Sequence, residues 1–234
     1  YYNRHVWIEK PICQSYEETL ELERYLFEQN SKLRVFVDHT FLFHPAVREM
    51  SRVDIGDPLY YDSHRISLGK FQKDVDVVKD LAIHDLAIIK HLYPLASLTR
   101  KSITKHSHIN EMHNQAILCF EFEIGGIEKK RFTATINCNW VSPVKKREII
   151  LTGTKKSVIY DDIDVNKIKV YDTGDIGEDY NINQLGDMIS PKLDTTEALL
   201  NAKRNFLEGI DNECKPMMSD LNFAKDLMKW IDIE

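Results

Sequence analysis

Cysteines are few in this sequence, and none lies at a spacing typical of a disulfide framework or a metal site. The 234 residues include four cysteines, Cys13, Cys119, Cys138 and Cys214, and no CxxC pair. A few scattered cysteines are typical of a protein whose thiols are reduced, because zinc sites and small disulfide scaffolds need paired cysteine spacings. We therefore expect a cytoplasmic protein.

The sequence also lacks long apolar runs and an excess of positive charge. No run approaches the roughly 18 apolar residues that a membrane-spanning helix needs. The formal net charge is -6, which disfavours binding by phosphate neutralisation. The short basic run Lys145–Arg147 has no interleaved aromatic residues, and the histidines His106, His108 and His113 have no nearby acidic ligand set. We expect no membrane partner, no nucleic-acid partner and no metal.

The sequence also lacks a glycine-rich phosphate-binding loop. The nine glycines include no GxGxxG pattern after a strand, which is the pattern that binds the pyrophosphate of a dinucleotide. The pair Gly125-Gly126 lies between two strand candidates and predicts a hairpin turn instead. The sequence as printed therefore offers no such cradle, and we do not expect it to bind NAD tightly.

The most regular pattern in the chain is the segment 77–92, which predicts a helix. Its apolar residues recur at spacings of three and four residues, as on one face of a helix. In the chain as a whole, 43% of the residues are hydrophobic. Asp80 and His84 lie one turn apart at the edge of the apolar stripe, so their side chains can meet. Asp85 falls inside the stripe, where a carboxylate must be paired. The Asp80–His84 pair is either a structural polar contact or a general base held by an acidic neighbour.

The first residues read as a strand that leads directly into a helix. The short apolar run Val6–Ile8 ends before Pro11, and Ser15 can cap a helix that ends near Asn30. A strand followed by a helix is half of a parallel unit, whose other strands ordinarily precede it. We therefore expect that an N-terminal part of the protein is absent from this sequence and that residues 1–30 are the stub of an α/β domain.

The remainder of the chain alternates mainly between strand candidates and turns, and two helices close it. The closing helices are predicted over Thr195–Gly209 and Ser219–Ile233. This pattern predicts an α+β fold, with an antiparallel-rich open β-sheet and helices on one face. A large sheet with one open face favours self-association, so we expect a homodimer or homotetramer formed through that face.

Several short motifs occur in a fixed order along the chain. They are Glu9-Lys10-Pro11 after a strand, Asp80-x-x-x-His84-Asp85-Leu86 on a helix, and Gly153 followed by the run 158–162. Together they resemble the motifs of the Gfo/Idh/MocA family of NAD(P)-dependent oxidoreductases. The segment Trp140–Arg147 is similar to a motif of one branch of the family, which is associated with surface polysaccharides and UDP-sugar dehydrogenases.

The resemblance implies a two-domain enzyme with an N-terminal Rossmann domain and a C-terminal sheet domain. Residues 1–30 would be the remnant of the nucleotide-binding domain, a strand–helix stub. Residues 31–234 would form the C-terminal substrate-binding and oligomerisation domain. NAD or NADP would be bound mainly by the missing N-terminal region, and the truncated chain would be inactive.

The resemblance also implies roles for individual residues. Glu9, Lys10 and Pro11 would lie at the nicotinamide, with Lys10 orienting the substrate oxygen and stabilising the charge that develops as a proton leaves. His84 would be the general base, and Asp80 would orient His84 or contact the substrate. Members of the family differ over whether the lysine or the histidine takes the proton, so both stay open.

Three basic residues are candidates for substrate recognition. Arg65, Lys145 and Arg147 could bind a carboxylate or phosphate, as a uronic acid or a sugar nucleotide would require. Equally, they could be solvated charges at strand ends. The resemblance implies an asparagine two residues after Arg65, where this chain has Ser67.

Two functions follow. The first is an NAD(P)-dependent dehydrogenase acting on a hydroxyl of a sugar or sugar nucleotide. The alternative is a non-catalytic binding or assembly protein built on the same sheet domain. The presence of Lys10, Asp80 and His84 together favours the enzyme, since a binding protein needs no such set.

Overall fold

The protein consists of a small parallel strand unit followed by a large sheet with helices on one side. The computed structural model describes residues 4–29, 32–69, 71–109, 111–125, 129–174, 186–212 and 217–232. Within these ranges the chain forms ten strands and five α-helices. The strands lie in two sheets, one of two strands and one of eight.

The first unit is a strand, a helix and a parallel strand. Strand β1 (Val6–Glu9) pairs in parallel with β2 (Val35–Asp38), and helix α1 (Tyr16–Gln29) connects them. Ser15 caps α1 as predicted, because its Oγ accepts a hydrogen bond of 3.1 Å from the backbone N–H of Glu18. Strand pairing therefore extends the first unit to Asp38, while the domain boundary after residue 30 stays a prediction.

The second unit is an eight-stranded mixed sheet. Its spatial order is β10-β9-β8-β7-β3-β6-β5-β4, with β3 and β6 parallel and every other neighbouring pair antiparallel. The predicted α+β fold with an antiparallel-rich open sheet is thus confirmed. The strands are β3 (Pro58–Leu68), β4 (Ala96–His106), β5 (Gln115–Ile124), β6 (Lys130–Asn139), β7 (Val141–Gly153), β8 (Lys156–Asp161), β9 (Ile168–Asp172) and β10 (Met188–Ile189).

The helices pack on one face of this sheet. Strand β5 buries alternate side chains, and one of them, Phe122, lies 4.9 Å from the ring of Trp230 on the last helix. On the opposite face the neighbouring Ile117 is 43% exposed. The remaining helices are α2 (Pro45–Met50), α3 (Ile83–Leu92), α4 (Ala198–Asp211) and α5 (Leu221–Asp232).

The central helix differs from the single α-helix predicted over 77–92. It begins with a π-helical turn over Val78–Ala82 and continues as α3. In a π-turn each N–H bonds the carbonyl five residues back, so the turn is wider than a turn of α-helix. Asp76 holds the start of this turn, since its Oδ1 accepts from the N–H groups of Val78 and Lys79 at 3.1 and 3.0 Å.

Helix α4 begins and ends later than predicted. It starts at Ala198 after the extended residue Glu197, and it passes through Gly209 to Asp211. A Cβ at Gly209 would lie 2.3 Å from Cγ of Met217, so this glycine permits close packing instead of ending the helix. The predicted turn residue Gly126 lies outside the described residues.

Two findings concern membranes and thiols. None of the helices in the described ranges has the length and apolar character that crossing a bilayer requires. Cys13, Cys119 and Cys138 carry free thiols, and Cys214 lies outside the described residues.

Candidate active site

Two residues predicted as catalytic, Lys10 and Asp80, form an ion pair where β1 ends and the central helix begins. Lys10 Nζ lies 2.6 Å from Asp80 Oδ1 and 2.6 Å from the backbone carbonyl oxygen of Asp80. The two side chains are 17% and 19% exposed. Trp140 Nε1 donates to the second carboxylate oxygen of Asp80 at 3.1 Å. Residues far apart in the sequence thus fix one ammonium group at the end of a parallel strand.

His84 follows Asp80 on the central helix but does not share a hydrogen bond with it. The partners that the structure gives Asp80 are Lys10 and Trp140, and His84 Nδ1 is buried with no hydrogen-bond partner among the described residues. The two carboxylate oxygens of Asp80 bind Lys10 and Trp140 instead of His84. The ring of His84 instead contacts that of Phe41 at 4.8 Å.

The surroundings of His84 keep its imidazole neutral. Burial lowers the pKa of His84 well below its usual value, and the nearby charges of Arg65, Lys10 and Arg147 lower it further. A neutral imidazole has one ring nitrogen able to accept a proton. His84 is therefore available as an acceptor at neutral pH.

Asp85 is the buried carboxylate that the helix pattern required to be paired, and this expectation is confirmed. Its Oδ1 accepts hydrogen bonds from Tyr61 Oη at 2.8 Å and Ser63 Oγ at 2.7 Å, and its Oδ2 pairs with Arg65 Nε. All three partners project from the covered face of β3. This network fixes the central helix against the sheet, one position away from His84.

The three predicted substrate ligands lie in different environments. Arg65 is 4% exposed, pairs with Asp85, and has its Cζ 4.3 Å from the centre of the Phe41 ring. Arg147 is 40% exposed, lies 5.9 Å from the same ring, and pairs with Asp162 at 3.3 Å. Both therefore lie around Phe41, which contacts His84. Their roles in substrate binding stay predictions.

Lys145 is exposed and lies apart from the cluster formed by Phe41, His84, Arg65 and Arg147. It falls in the part of β7 where the register with β3 shifts, between the pairs Ile66↔Lys146 and Leu68↔Val141. No contact among the described residues links Lys145 to His84. Substrate binding by Lys145 stays a prediction.

The predicted cofactor residues lie at the carboxyl ends of two parallel strands. Glu9 is exposed and in register with Asp38, the last residue of β2, and Lys10 and Pro11 follow directly. Ligands of open α/β sheets bind outside the carboxyl ends of the strands. The geometry of this edge fits one end of a nucleotide, while the connection 10–15 into α1 has no glycine to form a pyrophosphate cradle.

His39 was missed by the sequence analysis. It follows β2 directly and is 1% exposed, and both of its ring nitrogens are buried without a hydrogen-bond partner in the described part of the chain. Burial lowers its pKa to about 3, and the charge of Lys10 contributes. The sequence could have pointed to His39 by its position directly after a buried strand. Once that strand pairs with β1, His39 lies beside Lys10.

A groove of about 640 Å³ opens on the side of the cluster where Asp162 lies. Lys167, which contacts Asp162, lines it together with His44, Asn166 and the segment 190–198. In the described ranges no group of three or more His, Cys, Asp or Glu residues could hold a metal ion.

Comparison with solved structures identifies the fold. The chain is similar to UDP-N-acetylglucosamine 3-dehydrogenase GnnA from Acidithiobacillus ferrooxidans, with 21% identity and a TM-score of 0.80 over 97% of this chain and 68% of that one. It is also similar to an inositol dehydrogenase homolog from Azotobacter vinelandii, complexed with NADH and myo-inositol, with 15% identity, a TM-score of 0.74, and coverage of 97% and 67%.

A third similar structure is an oxidoreductase from Agrobacterium radiobacter in complex with NAD⁺, L-tartaric acid and magnesium. Its identity is 11%, its TM-score is 0.74, and the alignment covers 97% of this chain and 68% of that chain. No family model and no curated protein matches the sequence. The similarities show that the chain has the fold of these oxidoreductases, as the resemblance in the motifs implied.

Replacement of Asp85 tests the network that holds the central helix. We expect Asp85→Ala to lower the free energy of unfolding by about 3–5 kcal/mol, because it leaves the guanidinium of Arg65 buried and unpaired. Asp226→Ala is the matched control, since this 46% exposed carboxylate pairs with Lys90 at the surface and its loss should cost about 1 kcal/mol or less. Urea unfolding measures both values, and equal effects would contradict the account.

The buried His39 predicts a loss of stability in acid. Its pKa lies near 3 in the folded chain and near 6.5 when exposed, so the unfolded state binds the proton first as the pH falls. The stability contributed by neutral His39 is complete above about pH 6.5 and decreases toward pH 3. Between about pH 7.5 and about pH 5 this decrease is about 2 kcal/mol.

The variant His39→Asn should remove that part of the pH dependence. Urea unfolding of the variant and the wild type at both pH values gives the difference directly. His108→Asn, at an exposed histidine, serves as the control and should leave the dependence unchanged. An unaltered acid decrease in His39→Asn would show that His39 is not buried in its neutral form.

Proposed function

We propose that the protein is an NAD(P)-dependent dehydrogenase that oxidises a hydroxyl of a sugar or sugar nucleotide. The observation that carries this proposal is the Lys10–Asp80 ion pair at the end of β1, with neutral His84 on the same helix as Asp80. The fold shared with a UDP-N-acetylglucosamine 3-dehydrogenase and an inositol dehydrogenase homolog supports it.

Lys10 is suited to bind the reacting oxygen. An ammonium group has three N–H donors, and two of them are directed at the carboxylate and the carbonyl oxygen of Asp80. The third donor can contact a substrate hydroxyl and stabilise the negative charge that develops as its proton leaves. Asp80 binds Lys10, and the indole N–H of Trp140 holds the carboxylate of Asp80 in place.

His84 is suited to accept the proton. Its lowered pKa keeps it unprotonated at neutral pH, and the same cationic surroundings disfavour a lasting imidazolium. Proton transfer to His84 and hydrogen bonding to Lys10 would therefore act on one hydroxyl together. Which of the two finally takes the proton stays open.

The cofactor residues of this chain fit the nicotinamide end of NAD or NADP. Glu9, Lys10 and Pro11 lie at the carboxyl ends of β1 and β2, where a ring could rest beside the ion pair. The bound nicotinamide supplies the hydride acceptor, and the protein supplies position and proton transfer. We assign no pyrophosphate contact to the connection 10–15, which contains no glycine.

The substrate is proposed to extend from His84 toward the groove. Arg147 lies between the Phe41–His84 contact and Asp162, whose other partner Lys167 lines the groove. A phosphate or carboxylate on the sugar would find cationic side chains along this path. Arg65 and Lys145 are proposed as further ligands, Arg65 through the part of its guanidinium not bound to Asp85.

Self-association and cellular location complete the proposal. The open face of the sheet carries Tyr60, 36% exposed, and Ile117, 43% exposed, and we expect a homodimer or homotetramer to cover it. The same face supports the alternative function, a non-catalytic assembly protein. The free thiols of Cys13, Cys119 and Cys138 favour the cytoplasm.

Activity measurements on the full-length product of the gene test the enzyme directly. With a panel of sugars and UDP-sugars, we expect NAD(P)H formation that falls about 100-fold or more in kcat for Lys10→Ala and for His84→Ala. Circular dichroism should show both variants folded. Lys129→Ala and His108→Asn alter exposed residues away from the site and should keep wild-type rates. Wild-type turnover in both site variants, or no NAD(P)H with any substrate, would refute the proposal.

A further inference from the structure

The ring of His84 lacks the hydrogen bond that ordinarily orients a histidine in an active site. Such a bond, made by the nitrogen that faces away from the substrate, fixes both the tautomer and the direction of the ring. Nδ1 of His84 is buried, and no residue in the described part of the chain bonds it. Asp80, four residues earlier, binds Lys10 and Trp140 instead. The orientation of His84 must therefore come from packing.

The aromatic ring that the structure places against His84 is that of Phe41. The two ring centroids lie 4.8 Å apart, and the planes are inclined at 62°, which is an edge-to-face contact. Aromatic rings favour this geometry because the positive edge of one meets the negative face of the other. Both side chains are half-buried, so the contact lies at the rim of the core.

Phe41 is itself held from two sides. It lies in the helical turn Thr40–Phe43 after β2, where its carbonyl accepts from the N–H of His44 at 3.1 Å. The guanidinium of Arg65 lies against its ring, with Cζ 4.3 Å from the ring centre. Arg65 in turn is fixed by the buried carboxylate of Asp85. The ring of Phe41 thus connects the rigid network on β3 with the imidazole of the central helix.

We propose that Phe41 is a positioning residue that sets the orientation of the His84 imidazole, and that the site requires its aromatic ring as well as its bulk. The catalytic consequence rests on the proposed dehydrogenase function, whereas the positioning itself does not. Leucine fills much of the same space, but it offers no face to the guanidinium of Arg65 and no edge-to-face contact to His84. Without the aromatic ring, the imidazole is free to populate other side-chain rotamers.

Arg147 contacts Phe41 more loosely than His84 does. Its Cζ lies 5.9 Å from the ring centre, near the limit of about 6 Å for a cation–π contact. Asp162 holds the same guanidinium independently, at 3.3 Å. Loss of the Phe41 ring should therefore disturb His84 more than Arg147, the candidate ligand for an anionic group of the substrate.

NMR of this chain tests the positioning without any substrate. Three-bond couplings from the backbone to Cγ of His84 report its first side-chain torsion, χ1. We expect a single χ1 rotamer in the wild type, averaged couplings in Phe41→Leu, and a single rotamer again in Phe41→Tyr, which keeps the aromatic ring.

Tyr93→Leu is the matched control. Tyr93 is half-buried, follows the other end of the helix that carries His84, and contacts Phe132 at the same ring distance of 4.8 Å. Its loss should leave the His84 couplings unchanged. A single His84 rotamer in Phe41→Leu would overturn the proposal. Averaged His84 couplings in the wild type would overturn it even if Phe41→Leu failed to fold.

Kinetics of the full-length gene product separate this proposal from the proposed function. Phe41→Leu should lower kcat about tenfold or more, because a misplaced reacting group slows the chemical step. KM for an uncharged sugar should change less than about threefold, and Phe41→Tyr should keep the wild-type kcat. An unchanged kcat in Phe41→Leu would overturn the proposal. Averaged His84 couplings in Phe41→Leu, in a protein that turns over no sugar, would support the positioning and refute only the dehydrogenase.

Discussion

The buried carboxylate of Asp85 is the interaction on which the candidate site depends. A fully buried charge is tolerated only when it is paired and hydrogen-bonded, and Tyr61, Ser63 and Arg65 supply those contacts from one face of β3. The helix cannot rotate or slide on the sheet without breaking all of them. His84, the residue directly before Asp85 on the helix, is held in place as a result.

The site also requires the small parallel unit to remain fixed to the large sheet. Lys10 comes from the first unit and Asp80 from the central helix, so their ion pair spans the two. Asp232 at the end of α5 makes a second connection, accepting from the N–H of Tyr16 at 2.9 Å and pairing with Lys79 at 3.1 Å. Such partly buried polar networks favour one arrangement of the elements they join.

Local patterns in the sequence predicted features that depend on local physics. The period of 3.6 residues identified the central helix, the cap at Ser15 was correct, and the position of Asp85 in the apolar stripe required a buried pair. The fold class followed from the order of the elements, and the resemblance in the motifs singled out Lys10 with Asp80, which proved to be in contact.

Features that depend on residues distant in the sequence could not be predicted from local sequence patterns. No residue pattern marks the π-turn at Val78–Ala82, and none predicts that Lys10 and Trp140 bind the carboxylate of Asp80 in place of His84. The burial of His39 follows from the pairing of β2 with β1, and that of Arg65 follows from its contact with Asp85. Each depends on partners at least 20 residues away in the sequence, and tertiary packing overrides local preference there.

A crystal structure of the full-length gene product with NAD(P)⁺ and a sugar nucleotide would test the central claim most directly. The account predicts that the nicotinamide ring rests beside the ends of β1 and β2. It also predicts that Lys10 Nζ and His84 Nε2 both lie about 3 Å from one substrate hydroxyl. A cofactor or sugar bound on another face, with Lys10 and His84 contacting neither, would contradict it.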